Sequence, residues 1–185
     1  MSAVRERILD VANDLFYRNG IRSVGVDAII RAADVARMSF YRHFQSKEGL
    51  ALAVLKRRDE RVSAWFQQQV ERLAPDPAMR PLAVFDALAL RFATPEYRGC
   101  AFINTIAETA NPGHAWHQAA AEHKRGFENY LAALLREAGL DDAFAPDLML
   151  LFDGAVVTAV RESDVAAIAR ARRIAARLLG IQASE

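Results

Sequence analysis

Apolar residues recur every three or four positions along most of the chain, and no stretch alternates apolar with polar long enough to mark a strand. Val4, Ile8, Val11, Ala12, Leu15 and Phe16 form one such stripe, which predicts a first helix over residues 4–18 stopped by Gly20. Ser23 is placed to cap a short second helix over about 24–33, with Asp27 in its first turn. After a break at Asp34 and Val35 a third short helix reaches Phe44. Ser46 then caps a long fourth helix carrying Leu50, Val54, Trp65 and Val70. Ala74-Pro-Asp-Pro is the clearest interruption, and Pro81 opens a fifth helix to about Ala93. Further helices are expected over about 98–110, 114–138 and 145–161, and from a cap at Ser163 or Asp164 to 179. The pattern predicts an all-α chain of about nine helices.

Composition narrows the partners. The 185 residues are 52% hydrophobic and 25% charged with a net charge of +1, which excludes a disordered polyampholyte. No stretch free of Asp, Glu, Lys and Arg exceeds the 13 residues of Thr109–Ala121. A membrane helix needs roughly 20 apolar residues, so none is expected. The N-terminus enters charged sequence without the apolar run of a secretion signal, and one cysteine, Cys100, permits no internal disulfide. Both fit a reducing cytoplasm. Charge is also uneven. Residues 1–61 hold 12 Lys+Arg against 8 Asp+Glu, and the remainder holds 12 against 15. A basic first third points to a polyanion as its partner.

The chemistry is concentrated in Ser23–Lys47. Two short helices joined by a tight turn and packed on an N-terminal helix make a three-helix helix-turn-helix, whose second short helix fits a DNA major groove. On that helix Ala36, Phe40 and Phe44 share one face and are expected to pack on Val11, Leu15 and Ile29. The opposite arc carries Arg37, Met38, Ser39, Tyr41, Arg42 and His43. Guanidinium forks suit guanine edges, and hydroxyls and lysines suit phosphate oxygens. By spacing alone the same arc reads equally well as a solvated polar face.

The run Tyr41-Arg-His-Phe-Gln-Ser-Lys47-Glu-Gly-Leu50, preceded by Ala33-Asp-Val-Ala-Arg-Met-Ser-Phe40, closely resembles the DNA-binding signature of the tetracycline-repressor (TetR) family. The resemblance implies a helix-turn-helix domain over residues 1–47, with the fourth helix from about 46 leading into a ligand-binding and dimerisation domain over 48–185. It implies that Tyr41 and His43 meet the phosphate backbone or nearby bases, that Lys47 clamps a phosphate, and that Ser23 and Val24 offer backbone amides to another. Arg37, Met38 and Ser39 take the positions that face base edges. Two departures stand out: Asp34 where relatives usually have Gly, and the long side chain of Met38 where many have a small one.

For the remainder, the resemblance implies an effector pocket among helices four to eight and a homodimer through the last two helices, about 145–179. Aromatic and polar residues in that region are the candidates: Trp65, Phe85, Phe102, Asn104, Trp116, His117, Phe127 and Phe152. Pro146–Val160 is apolar around its circumference, as a helix covered on more than one side must be. The implied function is a transcriptional regulator, a repressor released from a palindromic operator by a small molecule. Two rivals are weighed against it. One is a metal-dependent helical enzyme built on His114, His117 and His123 with Glu108 and Glu122, but on one helix these imidazoles do not converge. The other is a ligand-binding adaptor without DNA binding, which the Tyr41, His43 and Lys47 set argues against. No catalytic residue, metal ligand or cofactor is called for.

Overall fold

Helices form where the apolar period runs, and they stop where a side chain or a glycine closes them. The computed structural model describes residues 2–109 and 111–182. Among these the helices are α1 (Ala3–Asn19), α2 (Val26–Ala33), α3 (Arg37–His43), α4 (Lys47–Leu73), α5 (Arg80–Phe92), α6 (Ala101–Glu108), α7 (Ala115–Glu137), α8 (Ala145–Glu162) and α9 (Ala166–Leu178). There is no strand among the described residues. Single 3-10 turns at Pro77–Met79 and Asp142–Phe144 lead into α5 and α8. Each is opened by an aspartate: Asp76 accepts from the Ala78 amide at 3.0 Å and Asp141 from the Ala143 amide at 2.9 Å. Ser46 does the same for α4, its hydroxyl accepting from Gly49 at 3.0 Å.

Two expected ends move, and the choice left open at Ser163 or Asp164 falls to Asp164. Ser23 does not cap α2; the cap position is Gly25, two residues later, with no side-chain bond to the helix. Ser163 ends α8 in a left-handed conformation (φ +53°), while Asp164 accepts from the Ala166 amide at 3.0 Å and opens α9. Residues 98–100 stay outside α6, because Gly99 has φ +83° and interrupts the helix expected there.

The described residues fall into two compact units. The first gathers those of 1–61 and 100–123. Its core joins Ile8, Leu9, Ala12 and Phe16 of α1 to Ile29, Phe40 and Phe44, then to Leu50, Ala51, Val54 and Leu55 of α4. Phe102 of α6 and Trp116 and Ala120 of α7 complete it. Packing therefore places α6 and the first turns of α7 with the helix-turn-helix. The second unit gathers the described residues of 62–99 and 124–185, in which α9 lies against α5 and α8. An aromatic cluster lies at its centre: Phe66 meets Phe127 and Phe152 edge-on with centroids 5.2 and 5.7 Å apart, and Phe85 meets Phe152 at 6.2 Å.

The segment Asp142–Glu162 is long and apolar enough to cross a membrane by length and composition alone, which the sequence reading did not expect of any helix. Its Leu148, Met149, Phe152, Ala155, Val156 and Ala159 are buried within the second unit. Its Asp153 pairs with Lys124 of α7. Its Leu150, Val157 and Val160 are exposed, so one face of the helix packs in the unit and the other does not.

Candidate nucleic-acid interface

The first unit presents α3 on a rigid seat. Phe40 has no exposed surface and Phe44, just past the helix, is almost as buried; their rings are 6.2 Å apart. Ala36 does not join them as the spacing suggested. It is the N-cap of α3, extended at φ −66° and ψ 143°, and exposed, so the seat is built from Phe40, Phe44 and the buried Ala33 of α2. Between α2 and α3 the chain turns through Asp34 in the left-handed region, at φ +49° and ψ 59°. Aspartate tolerates that region better than most side chains, and Arg7 of α1 donates to the Asp34 carbonyl at 3.3 Å. The glycine usual at this position is replaced without loss of the turn.

The outward arc of α3 is as expected in exposure, with differences in detail. Met38 is 76% exposed and is the most solvent-facing large apolar side chain of the described residues. Tyr41 and Arg42 are exposed, while Ser39 and His43 are half-buried. The Tyr41 ring meets Phe40 edge-on at 5.2 Å, which fixes its direction. Arg37 pairs through its guanidinium with the carboxylate of Asp27 in the first turn of α2. Val24 is in the core, leaving Ser23 exposed ahead of a helix that begins at Val26.

Lys47, the first residue of α4, belongs to a polar knot that sequence reasoning missed. Its ammonium donates to the Arg22 carbonyl at 3.1 Å. The Arg22 amide donates to the Glu108 carboxylate at 2.8 Å, and the Arg22 guanidinium donates to the Glu108 carbonyl at 3.0 Å. Burial pulls the Lys47 ammonium below the ordinary lysine value; the nearby Glu108 charge opposes that shift and the Arg22 charge adds to it. Glu108 ends α6, so the loop entering α2 is tied to a residue 86 positions away. Nothing in the sequence marks that pairing.

The effector candidates divide between the units. Trp65, Phe85, Phe127 and Phe152 gather around Phe66, Trp65 meeting Phe66 edge-on at 5.1 Å. Lys124 and Asp153 pair at the rim of this cluster, with the ammonium 5.9 Å from the Phe152 ring centre. Phe102 and Trp116 are core residues of the first unit, Asn104 is exposed there, and His117 is half-buried with Nδ1 3.5 Å from the Thr109 hydroxyl. The histidines considered for a metal are engaged separately. His123 is buried, stacked on Phe102 at 3.6 Å and 2.6 Å from Asp59, while His114 accepts from the Trp116 amide at 3.2 Å. Among the described residues no three metal-ligating side chains gather.

A helix seated by two phenylalanines, turned on a short α2 and showing arginine, methionine and tyrosine outward, has the geometry of helix-turn-helix DNA readers. Comparison with known proteins agrees. The family model for bacterial regulatory proteins of the tetR family matches residues 8–54. The HTH-type transcriptional regulator UidR of Escherichia coli K12 is 36% identical over 67 residues, 36% of this chain and 34% of UidR, so the match spans about a third of that relative's length. The E. coli regulator YjdC is 24% identical over 95% of this chain and 93% of its own. The solved structure of SCO4454, a TetR-family transcriptional regulator from Streptomyces coelicolor, superposes with a TM-score of 0.79 at 31% identity, covering 94% of this chain and 90% of that one. The chain belongs to the TetR family of transcriptional regulators.

Proposed function

We propose that this chain regulates transcription by binding a palindromic DNA operator as a homodimer and releasing it when a small molecule occupies the second unit. The observation that carries the reading is the exposed arc of α3 on its buried Phe40 and Phe44 seat. Arg37, Met38 and Ser39 meet base edges in this reading, and Tyr41, His43 and Lys47 meet the sugar-phosphate backbone. Ser23 and the opening turn of α2 approach a neighbouring phosphate, Val24 contributing its backbone alone. The basic charge of the first third of the chain supplies the long-range attraction.

Pairing through residues 145–179 is supported by an apolar strip without cover in the second unit: Leu150, Val157 and Val160 on α8, and Ile174 and Leu178 on α9 are exposed. Gly154 lies on the exposed side of α8 with open space where a side chain would stand. Two copies of α8 and α9 form a four-helix bundle about a two-fold axis, which covers the strip with its own copy. Two recognition helices so related enter successive major grooves roughly 34–36 Å apart. The effector is a small, largely apolar molecule that enters beside Trp65, Phe85, Phe127 and Phe152, with Lys124 and Asp153 supplying polar contacts. Phe102, Asn104, Trp116 and His117 of the first unit are the second choice. To release DNA the effector must favour the non-binding state by ~1–3 kcal/mol or more. In this reading the protein acts in the cytoplasm as a repressor.

The test is fluorescence anisotropy of labelled duplexes, drawn from the genomic region flanking the gene, titrated with the purified chain at low salt. Binding that weakens steeply as salt rises supports the reading. No binding to any duplex at low ionic strength refutes it and leaves the ligand-binding adaptor.

A further inference from the structure

A carboxylate on a DNA-reading surface calls for an explanation. Asp27 stands in the first turn of α2, where amides and helix dipole favour an anion, and it is 60% exposed. Unneutralised, it would repel the phosphates that the surrounding surface attracts. Its partner is Arg37, the first residue of α3 and the first of the outward side chains, itself 61% exposed. An ion pair this exposed adds little to stability. What it does add is direction. An arginine on its own swings through many rotamers and grips phosphate as readily as base, whereas one fork held by a carboxylate leaves the other donors aimed along a fixed line.

We propose that Asp27 is a positioning residue for base readout: it holds the Arg37 guanidinium so that its remaining donors meet one base edge bidentately, and it discourages the same arginine from slipping to a phosphate. The base it fits is guanine, whose O6 and N7 accept two parallel bonds in the major groove. This inference deepens the reading of α3 as a DNA reader and depends on it. It also predicts an unusual sign. Losing an acidic residue should strengthen binding to unrelated DNA while weakening the choice of sequence.

The experiment selects binders from a pool of randomised duplexes with the full chain, then repeats the selection with Asp27→Ala, Asp27→Asn, Arg37→Ala and the double variant Asp27→Ala with Arg37→Ala. The unsubstituted chain should enrich a G·C pair at one position of each half-site, and Asp27→Ala should cut that preference about tenfold while leaving the other positions alone. Binding of Asp27→Ala to non-operator duplexes should tighten, and its salt dependence should steepen by about one phosphate. Arg37→Ala should abolish the preference, and adding Asp27→Ala to it should change the preference no further. Asp27→Asn, which keeps an acceptor without the charge, should restore part of the choice. A preference unchanged in Asp27→Ala, or losses that add in the double variant, overturns the proposal while leaving DNA binding intact. An unsubstituted chain that enriches nothing overturns the underlying reading and this one with it. A thermal midpoint of Asp27→Ala within about 2 °C of the unsubstituted chain's would exclude a structural cause, as expected of an exposed position.

Discussion

Gly20→Ala is the sharpest test of how the helix-turn-helix is held. Gly20 closes α1 with φ +83° and ψ 150°, a conformation that only glycine adopts without strain. Forcing alanine into it costs about 1–3 kcal/mol. A second cost is specific to this protein: a methyl group at Gly20 would stand 2.9 Å from one carboxylate oxygen of Glu108 and 3.1 Å from its carboxyl carbon. That carboxylate can swing aside, but it then gives up the 2.8 Å bond from the Arg22 amide. The bond is solvent-exposed, so its loss is near the lower end for a charged acceptor, about 1 kcal/mol. Together these give about 2–4 kcal/mol, or roughly 5–15 °C in the midpoint for a chain of this size. Urea titration and thermal unfolding by circular dichroism measure the loss. Glu108→Ala removes the obstacle, so in that background Gly20→Ala should cost about 1 kcal/mol less. A Gly20→Ala cost below about 0.5 kcal/mol, or one identical in both backgrounds, would refute the account of this contact.

Three further outcomes are expected. Because burial depresses Lys47, it sheds its proton below the pH of an ordinary lysine, so DNA affinity should fall early as pH rises while folding stability from this group gains over the same window; Lys47→Arg should remove the early fall in anisotropy titrations. Tyr130 is pushed up to about 12, first by burial and then by the Glu71 and Glu137 charges, so the folded chain keeps a proton that the unfolded chain loses, and stability should drop between about pH 10 and 12. Spectrophotometric titration should show one tyrosine ionising late, and Tyr130→Phe should remove both that step and its share of the alkaline drop. Replacing Leu150 and Val157 together with aspartate should reduce the mass by light scattering from twice 20.5 kDa to once, and an unchanged mass would move the dimer interface away from α8.

Helix order and most ends were legible because they follow from local chemistry. The 3.6-residue period, the cap at Ser46 and the stop at Gly20 all act within a turn or two of the chain. The seat of α3 was legible for the same reason, since Phe40 and Phe44 are a helical pair. Ala36 was misplaced because α3 begins one residue later than its apolar spacing implies, which takes Ala36 off the helix face. The grouping of α6 with the N-terminal helices was not legible. It depends on Phe102 stacking against His123 and on Glu108 meeting Arg22, contacts between positions whose separation no local pattern encodes. Helical spacing set His123 apart from the other two histidines, but nothing local marks that its ring is buried against a phenylalanine with Asp59 at its nitrogen.

Charge was the least legible property, and it bears most directly on function. The sequence assigns Arg37 a free guanidinium and Lys47 a free ammonium, because counting charge along a chain treats each group as alone. In the folded unit both are engaged: Arg37 by Asp27 on the preceding helix, and Lys47 by the Arg22 carbonyl. Contacts of this kind change what a basic residue can do at a polyanion without changing the net charge. A free lysine contributes wherever a phosphate lies within its long reach, while one tied by a single bond at its ammonium keeps two donors but only where that bond holds them. The four-charge excess of the first 61 residues therefore overstates indiscriminate attraction and understates selectivity. If so, neutralising Asp27 and neutralising an exposed acidic residue of α1 such as Asp14, which accepts from the neutral Asn13 amide at 3.0 Å, should part company. Both should raise affinity for random duplexes, but only the first should blur the sequence preference.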